Sequence, residues 1–175
     1  MTEERIPMSV VGQDQIYFLC EEAESTPAGC FVELGVYRGG TAWHLSKIAA
    51  YQDREIYLYD TFTGIPMQGS LDPHPVGDFG DTSVDFVRSA IPYATVVQGV
   101  FPASVVPMPP IAFAHIDADQ YQSIKDACAV LGPMMVQGGK MVFDDVWLLA
   151  GATAALEETG WVIDKTRGGK AMVRF

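Results

Sequence analysis

The predicted fold is decided by one stretch, Cys30-Phe31-Val32-Glu33-Leu34-Gly35-Val36-Tyr37-Arg38-Gly39-Gly40-Thr41. Its first five residues are mostly apolar and predict a buried strand, and residues 41–50 place Trp43, Leu45 and Ile48 at helical spacing. Glycines between a strand and a helix permit positive φ angles and let the backbone approach a ligand closely. The stretch therefore predicts the first strand–turn–helix unit of a parallel sheet, although such a turn alone is equally compatible with a structural role.

The rest of the chain alternates strands and helices, which predicts an α/β fold with a parallel, doubly wound sheet. Strands are predicted at 55–59, 93–98, 111–116 and 140–143, and helices at 12–24, 84–90, 121–131 and 146–159. Residues 161–164 and 171–175 are expected to form a closing hairpin around Gly168-Gly169. The loop 61–80 is expected to be either a functional lid or a disordered segment, because structureless loops of that length are uncommon in compact domains. We expect residues 1–175 to form a single domain.

The composition is that of a globular protein with an acidic surface: 175 residues, 49% hydrophobic, 19% charged, net charge -11. Such a charge repels phosphate backbones, so nucleic acid is not expected as a partner. Cys20, Cys30 and Cys128 show no CxxC pattern and predict free thiols in a reducing compartment. Because neither a signal-peptide pattern nor an apolar run of the ~20 residues that span a membrane is visible, we expect a cytoplasmic protein without a membrane partner.

Four predicted strands end in an acidic residue or a glycine turn, at Gly35, Asp60, Asp117 and Asp144. Ligands of open parallel sheets bind beyond the carboxyl ends of the strands, so these residues predict a ligand site there. The glycine loop is GxxxGG and not the GxGxxG of dinucleotide-binding proteins, and Glu33 would repel a pyrophosphate but suit the amino group of S-adenosylmethionine (SAM). Asp60 follows Gly35 at close to the ~20 residues expected of an acid that binds ribose hydroxyls, and the alternative is an aspartate that only initiates a loop.

Two consecutive predicted strands end in Asp117 and in the pair Asp144-Asp145. In a parallel sheet these ends can be neighbours, and converging carboxylates without cationic partners are expensive. A hard divalent cation such as Mg²⁺ resolves the repulsion and prefers oxygen ligands. The alternative left open is that Asp117 or Asp119 caps one helix and Asp145 caps the last.

Several separate motifs, in the same order, resemble the macrocin O-methyltransferase-like family of class I SAM-dependent methyltransferases, which is related to the novobiocin-pathway sugar O-methyltransferase. They are VELGVYRGG (32–40), YDTFTGIP (59–66), FGDTS (79–83), QGVFP (98–102), IDADQYQS (116–123) and FDD (143–145). The Asp-Ala-Asp and Asp-Asp elements are also similar to those of catechol and caffeoyl-CoA O-methyltransferases. The resemblance covers most of the chain, from Phe31 to about Asp145.

The resemblance implies a Rossmann-like fold, with a mainly parallel seven-stranded sheet, an antiparallel last strand and helices on both faces. It implies SAM as cofactor, bound by Glu33, Gly35, Tyr37, Gly39, Gly40, Thr41, Asp60, Thr61, Gly99, Phe101 and Asp117. It also implies Mg²⁺ or another hard divalent cation held by Asp117, Asp144 and Asp145, with Asp117 as general base. The implied acceptor is a small hydroxylated molecule, a sugar or another metabolite with vicinal oxygens, and a homo-oligomer is a possible assembly.

Other features leave room for different functions. Gln120 stands where catechol-type enzymes carry a lysine, so no lysine base is expected there. His115 is expected to be a core residue, whereas His74 in the long loop and Trp147 after the aspartate pair are candidates for acceptor contacts. A metal-independent methyltransferase and a non-catalytic SAM- or nucleotide-binding module remain alternatives, and a nicotinamide oxidoreductase fits the glycine loop poorly.

Overall fold

The computed structural model of the protein describes residues 6–166 and 169–175. The helices are α1 (Gln13–Glu24), α2 (Gly40–Tyr51), α3 (Val84–Ala90), α4 (Tyr121–Leu131) and α5 (Ala150–Glu157). The strands are β1 (Cys30–Leu34), β2 (Ile56–Asp60), β3 (Thr95–Gln98), β4 (Ile111–Ile116), β5 (Met135–Phe143), β6 (Asp164–Lys165) and β7 (Ala171–Arg174). Within these described ranges, none of the helices has the length and apolar character needed to cross a membrane.

The seven strands form one sheet in the order β3-β2-β1-β4-β5-β7-β6. Strands β1 to β5 pair in parallel, and β7 runs antiparallel to both β5 and β6. The order reverses between β1 and β4, and open sheets of this kind bind ligands in the crevice beyond the carboxyl ends of the strands at such a point. The predicted mainly parallel sheet with an antiparallel last strand is confirmed.

Both faces of the sheet are covered by apolar side chains, as the near-continuous hydrophobic strands require. On one face Phe31 and Phe113 pack with Leu19 of α1 and Leu45 of α2. On the other face Val32, Ala114 and Met141 pack with residues of α4 and α5, among them Ile124, Leu131, Ala152 and Leu156. The strands therefore alternate their side chains between two helical layers, and the helices predicted on both faces are confirmed.

The largest difference from the predicted elements lies in β5. The sequence predicted a turn at Gly138-Gly139 and a strand only from 140, but the strand begins at Met135 and contains both glycines. Gly138 has a φ of +81° and the register with β4 shifts in this part, so the pair forms an irregularity within the strand. Helix α5 begins at Ala150 and not at 146, because the N–H groups of Leu148 and Leu149 donate to the carbonyl of Asp145 in a turn.

The predicted closing hairpin is present in β6 and β7, although its first strand lies at Asp164–Lys165 and not at 161–164. Of the turn predicted at Gly168-Gly169, Gly168 lies outside the described residues. Residues 61–80 contain no helix or strand, as expected, but they are held by their own hydrogen bonds. Ile65 N–H donates to the carbonyl of Asp78 at 2.9 Å, and Gly77 N–H donates to that of Ile65 at 3.0 Å. The segment is therefore a folded loop.

Candidate functional site

A cleft opens at the carboxyl ends of β1, β2, β3 and β4, beneath the loop 61–80. Of the residues predicted to bind a cofactor, those that line it are Gly35, Tyr37, Asp60, Thr61, Gly99, Phe101 and Asp117. Glu33, Gly40 and Thr41 line a small recess behind the glycine loop, which residues 8–11 border on the other side. Gly39 lines neither space, because it is the N-terminal cap of α2 and its α-carbon faces Val87 and Ile91 of the α3 region.

Gly35 is required where β1 leaves the sheet. Its φ is +89°, and a Cβ at this position would lie 1.8 Å from the carbonyl oxygen of Asp117. Any side chain would therefore push apart the ends of β1 and β4, the two strands between which the crevice opens. The conformational freedom of glycine thus brings the backbone of the glycine loop directly against the backbone of Asp117.

The carboxylate of Asp60 ties the glycine loop to β2. One oxygen, Oδ2, accepts hydrogen bonds from the N–H groups of Val36 at 2.8 Å and Tyr37 at 2.7 Å. The other, Oδ1, accepts from the N–H of Phe62 at 2.7 Å, which initiates the loop that follows. Asp60 thus makes the loop-initiating contact that the sequence left as an alternative, and it also lines the cleft.

Glu33 lies in the centre of the sheet beside a histidine. Its Oε1 is 2.9 Å from Nδ1 of His115, and the two side chains are 1% and 0% exposed. Burial, followed by the charges of Asp117 and Asp60, raises the pKa of Glu33 well above its ordinary value. Burial lowers the pKa of His115 to about 3. Both shifts favour the neutral form of the group, and the two side chains share one hydrogen bond, which agrees with the expectation that His115 is a core residue.

The outer rim of the glycine loop is fastened to the end of the long loop. The hydroxyl of Tyr37 donates to Oδ1 of Asp81 at 2.7 Å, and the guanidinium of Arg38 contacts the other oxygen of Asp81. The Tyr37 ring packs edge-on against Phe79 at 5.8 Å between centroids. These contacts place two aromatic residues at the cleft, and both of them line it.

Three aspartates meet at the open side of the crevice: Asp117, Asp119 and Asp145, here called the open trio. Their carboxylate oxygens lie within 4.8 Å of one another, and all three side chains are half-buried. Burial, followed by the charges of Asp144 and Asp119, raises the pKa of Asp117 well above its ordinary value. The pKa of Asp119 is raised to about 6 and that of Asp145 is also raised, in both cases chiefly by burial. Such a set of hard oxygen donors fits a divalent cation.

Asp144 differs from the open trio because a lysine occupies one of its oxygens. Nζ of Lys170 lies 2.5 Å from Oδ1 of Asp144, and the side chains are 1% and 8% exposed. We call these two residues the buried pair. Asp144 still lies close to Asp117, since their oxygens come within 4.8 Å of each other and of a His115 nitrogen. The predicted metal ligands Asp117, Asp144 and Asp145 are thus neighbours, but they are distributed over two groups that share Asp117.

None of the aspartates in these two groups caps a helix with its side chain, which removes the capping alternative. Helix α4 has Gln120 at its N-terminal cap and α5 has Leu149, neither with a capping side-chain bond. The cap of α4 comes from the long loop, because Oδ1 of Asp72 accepts the N–H of Tyr121 at 2.9 Å. Sequence patterns do not identify such a cap, since it is supplied from a distant part of the chain.

The remaining candidate residues also lie around the cleft. Gln120 is 1% exposed and donates to the carbonyl of Met67, so it fastens the long loop. The Nδ1 atom of His74 lies 3.4 Å from Oδ2 of Asp78, and its ring packs against Phe79 at 5.3 Å between centroids. Trp147 is 36% exposed and lies beneath the ammonium of Lys165, with Nζ 5.7 Å from the ring centre. Lys170 is the residue of this region that the sequence analysis missed.

A family model described as "Methyltransferase domain" matches residues 32–146, which is more than half of the chain. The matched segment runs from β1 through the turn after β5. It therefore contains the glycine loop, Asp60 and all three residues of the open trio. No curated protein matches the chain.

Solved structures share the fold at low sequence identity. The O-methyltransferase NovP superposes with a TM-score of 0.82 at 20% identity, over 95% of this chain and 81% of NovP. The calicheamicin methyltransferase CalS11 gives 0.76 at 18%, over 94% and 81% of the two chains. An O-methyltransferase from Bacillus cereus, solved in complex with SAH, gives 0.67 at 14%, over 97% and 84%.

Proposed function

This chain belongs to the methyltransferase family whose model it matches, and on that premise we propose that it transfers the methyl group of SAM to a hydroxyl oxygen of a small molecule. The observation that carries the proposal is the meeting of the glycine loop and the open trio in one cleft. Asp117 belongs to both, since its backbone touches Gly35 and its side chain is part of the trio. A cofactor on the loop and an acceptor on the trio would therefore lie side by side.

The cofactor would lie along the carboxyl ends of β1, β2 and β3. Asp60 would accept from ribose hydroxyls with the lone pairs that its three backbone bonds leave free. The recess lined by Glu33, Gly40 and Thr41 would take the methionine end. Gly99 and Phe101 would lie near the adenine. The long loop above the cleft would exclude water from the reacting atoms.

The open trio would hold a divalent cation of the Mg²⁺ type. When bound, such an ion lowers the pKa of a coordinated hydroxyl and fixes its geometry. Asp117 would accept the proton of the acceptor hydroxyl, and the raised pKa of its carboxyl suits that task. The acceptor oxygen would then bond to the methyl carbon of SAM as the carbon–sulfur bond breaks, and S-adenosylhomocysteine (SAH) would leave with the electron pair of that bond. Positioning two bound reactants supplies much of the rate gain.

The proposed acceptor is a sugar or another metabolite with vicinal oxygens. NovP is described as an O-methyltransferase and a structure of CalS11 as a TDP-rhamnose 3'-O-methyltransferase, which supports oxygen as the methylated atom. The acidic cleft does not favour nucleic acid. Cys20, Cys30 and Cys128 form no disulfide, which supports the cytoplasm as the compartment. The proposal includes a homo-oligomer as the assembly and no membrane as a partner.

A second candidate is metal-independent methyl transfer, and the observation that favours it is the buried pair. Lys170 brings a positive charge into the carboxylate cluster, which partly answers the repulsion that a metal ion would otherwise relieve. In that case Asp117 would act as base without an ion beside it. The two candidates share the cofactor site and differ only in the need for a divalent cation.

Calorimetric titration with SAH tests the cofactor site, using wild type, Asp60→Asn and the exposed control Asp85→Asn. Wild type and Asp85→Asn are expected to bind SAH equally, and Asp60→Asn about tenfold more weakly, as the loss of about one hydrogen bond predicts. Incubation with SAM and hydroxylated acceptors, with and without EDTA, then separates the two candidates. A wild type that binds no SAH would overturn the cofactor assignment, and a methyl group found on nitrogen or carbon would overturn O-methylation.

A further inference from the structure

Lys170 reaches the cluster through the register of the last strand. Phe143 pairs with Ala171 in the antiparallel ladder of β5 and β7, so the next residues outward, Asp144 and Lys170, lie side by side at the carboxyl edge of β5. Lys170 as a whole is 0% exposed. Burying an ammonium group is costly unless it is paired and hydrogen-bonded, so its position demands an explanation.

A second buried lysine in the same sheet, Lys140, forms a structural ion pair with which Lys170 can be compared. Nζ of Lys140 lies 2.7 Å from Oε2 of Glu22, 2.7 Å from Oγ of Ser25 and 3.2 Å from the carbonyl of Glu22. Nζ of Lys170, in contrast, contacts Oδ1 of Asp144 but has no well-oriented hydrogen bond to any residue that the structure describes. Lys140 is thus fully satisfied by its neighbours, whereas Lys170 is a buried cation aimed into a group of carboxylates.

The charge of Lys170 acts on the whole cluster and not only on Asp144. It lowers the pKa values of Glu33, Asp117 and Asp145, against the effect of their burial. It also lowers the pKa of His115 and so helps to keep that imidazole neutral. Lys170 therefore has the electrostatic effect on these residues that a bound cation would have.

We propose that Lys170 is a built-in cation that occupies Asp144, so that a divalent ion in this protein is held by the open trio of Asp117, Asp119 and Asp145. This inference rests on the proposed function, since it assigns the ligands of the ion in the same cleft. It replaces Asp144 by Asp119 in the ligand set that the sequence implied. It also sets the charge of the site, because Lys170 offsets the charge of Asp144 and leaves the three carboxylates of the trio to face the divalent ion.

Two variants test whether Asp144 is a ligand of the divalent ion or is already occupied by Lys170. Lys170→Met frees Asp144 and removes one positive charge, whereas Lys170→Met combined with Asp144→Asn leaves the total charge of the site unchanged. Lys140→Met with Glu22→Gln is the matched control, because it neutralises the other buried pair away from the cleft. Each protein is titrated calorimetrically with Mg²⁺ and with Mn²⁺, and separately with SAH, while thermal unfolding monitors the fold.

The proposal expects Lys170→Met to bind the divalent ion at least about tenfold more tightly than wild type, because a unit charge has been removed close to the ion. The charge-neutral double variant and the Lys140 control should stay within about threefold of wild type. A double variant that loses the ion would show that Asp144 is a ligand and overturn the proposal, and so would unchanged affinity in Lys170→Met. If Lys170→Met does not fold, the double variant still shows whether Asp144 is a ligand of the divalent ion.

SAH binding separates this inference from the proposed function. Retained SAH binding in every variant leaves the methyltransferase assignment intact whatever the metal titrations give. If wild type binds no divalent ion but Lys170→Met does, Lys170 excludes the ion from the cluster, and both the assignment of the trio as ligands and the metal-dependent reaction are overturned. If no variant binds a divalent ion, the ligand set is overturned while the cofactor site is untouched.

Discussion

The open trio and the buried pair contain the same kind of side chain at the same edge of the sheet, yet their surroundings give them different properties. Asp117, Asp119 and Asp145 face the cleft, form no ion pair with any residue that the structure describes, and carry raised pKa values. Asp144 is 8% exposed and has Lys170 at 2.5 Å. The comparison teaches that partner and burial, more than residue type, separate a carboxylate suited to a ligand from one that holds the fold together.

The largest expected effect is on catalysis, in the open trio. Asp117→Asn should lower the rate of methyl transfer by about 10²–10⁴-fold, the range that general bases contribute, because an amide accepts no proton. The measurement is single-turnover methyl transfer at saturating SAM. The exposed Asp85→Asn serves as control and should keep the wild-type rate. A loss of less than about tenfold would mean that Asp117 is not the base.

The buried pair should be more important than the open trio for stability. Asp144→Asn removes the carboxylate that contacts the buried ammonium of Lys170 and should cost about 3–5 kcal/mol of unfolding free energy. Asp145→Asn removes a carboxylate that repels its neighbours and should cost less than about 1 kcal/mol. The measurement is urea unfolding at pH 7 without divalent ions.

A control for that comparison lies one strand away. Nε of Arg174 and Oδ2 of Asp164 lie 3.3 Å apart, with both side chains 52% exposed. Asp164→Asn should change the unfolding free energy by at most about 1 kcal/mol, as exposed ion pairs do. If Asp144→Asn lowers the unfolding free energy by no more than Asp145→Asn does, the buried pair contributes no more to stability than the open trio, and the comparison is wrong.

A pH dependence within the open trio should be smaller than the loss expected for the buried pair. The pKa of Asp119 is about 6 in the folded protein, against 3.8 for the ordinary side chain. Between these values the folded state binds more protons than the unfolded state, so this group lowers stability as pH rises. Asp119→Asn should therefore gain about 1–2 kcal/mol relative to wild type between pH 4 and pH 6, since half-burial leaves part of the charge screened by water.

The stability difference between Asp119→Asn and wild type should then level off above about pH 7, where Asp119 is ionised in both the folded and the unfolded state. Urea unfolding of the metal-free proteins at a series of pH values measures it. A difference that does not change with pH would place Asp119 in water, outside the trio. Saturating Mg²⁺ should reverse the order of stability if the trio binds the ion, because only wild type then has all three ligands.

Local patterns predicted much of the fold, and contacts between distant residues account for what was missed. Helix α4 and strand β4 lie where their apolar periodicity placed them, at Tyr121–Leu131 and Ile111–Ile116. The glycine pair in β5 was mistaken for a turn because glycine marks both turns and strand irregularities, and only the pairing with β4 distinguishes them.

The candidate site likewise contains some residues that local patterns revealed and others that only contacts between distant residues bring into place. The aspartates at strand ends were visible because each follows its own apolar run. Lys170 was not, since its place beside Asp144 depends on the register of an antiparallel strand that no local pattern fixes. The convergence of Asp119 with Asp117 and Asp145 depends on its left-handed backbone, with a φ of +56°.

Asp72 connects opening of the cleft to fraying of a helix. One of its oxygens holds the N–H of Tyr121 at the start of α4, and the other holds the N–H of Gly69 at 2.9 Å. Gly151 in α5 packs so closely against Asp72 that a side chain there would lie 2.1 Å from Oδ1. Lifting the loop therefore exposes the first turn of α4 at the same moment. The amide protons of Gly69 and Tyr121 should then exchange with solvent at matching rates, and a ligand that closes the loop should slow both together.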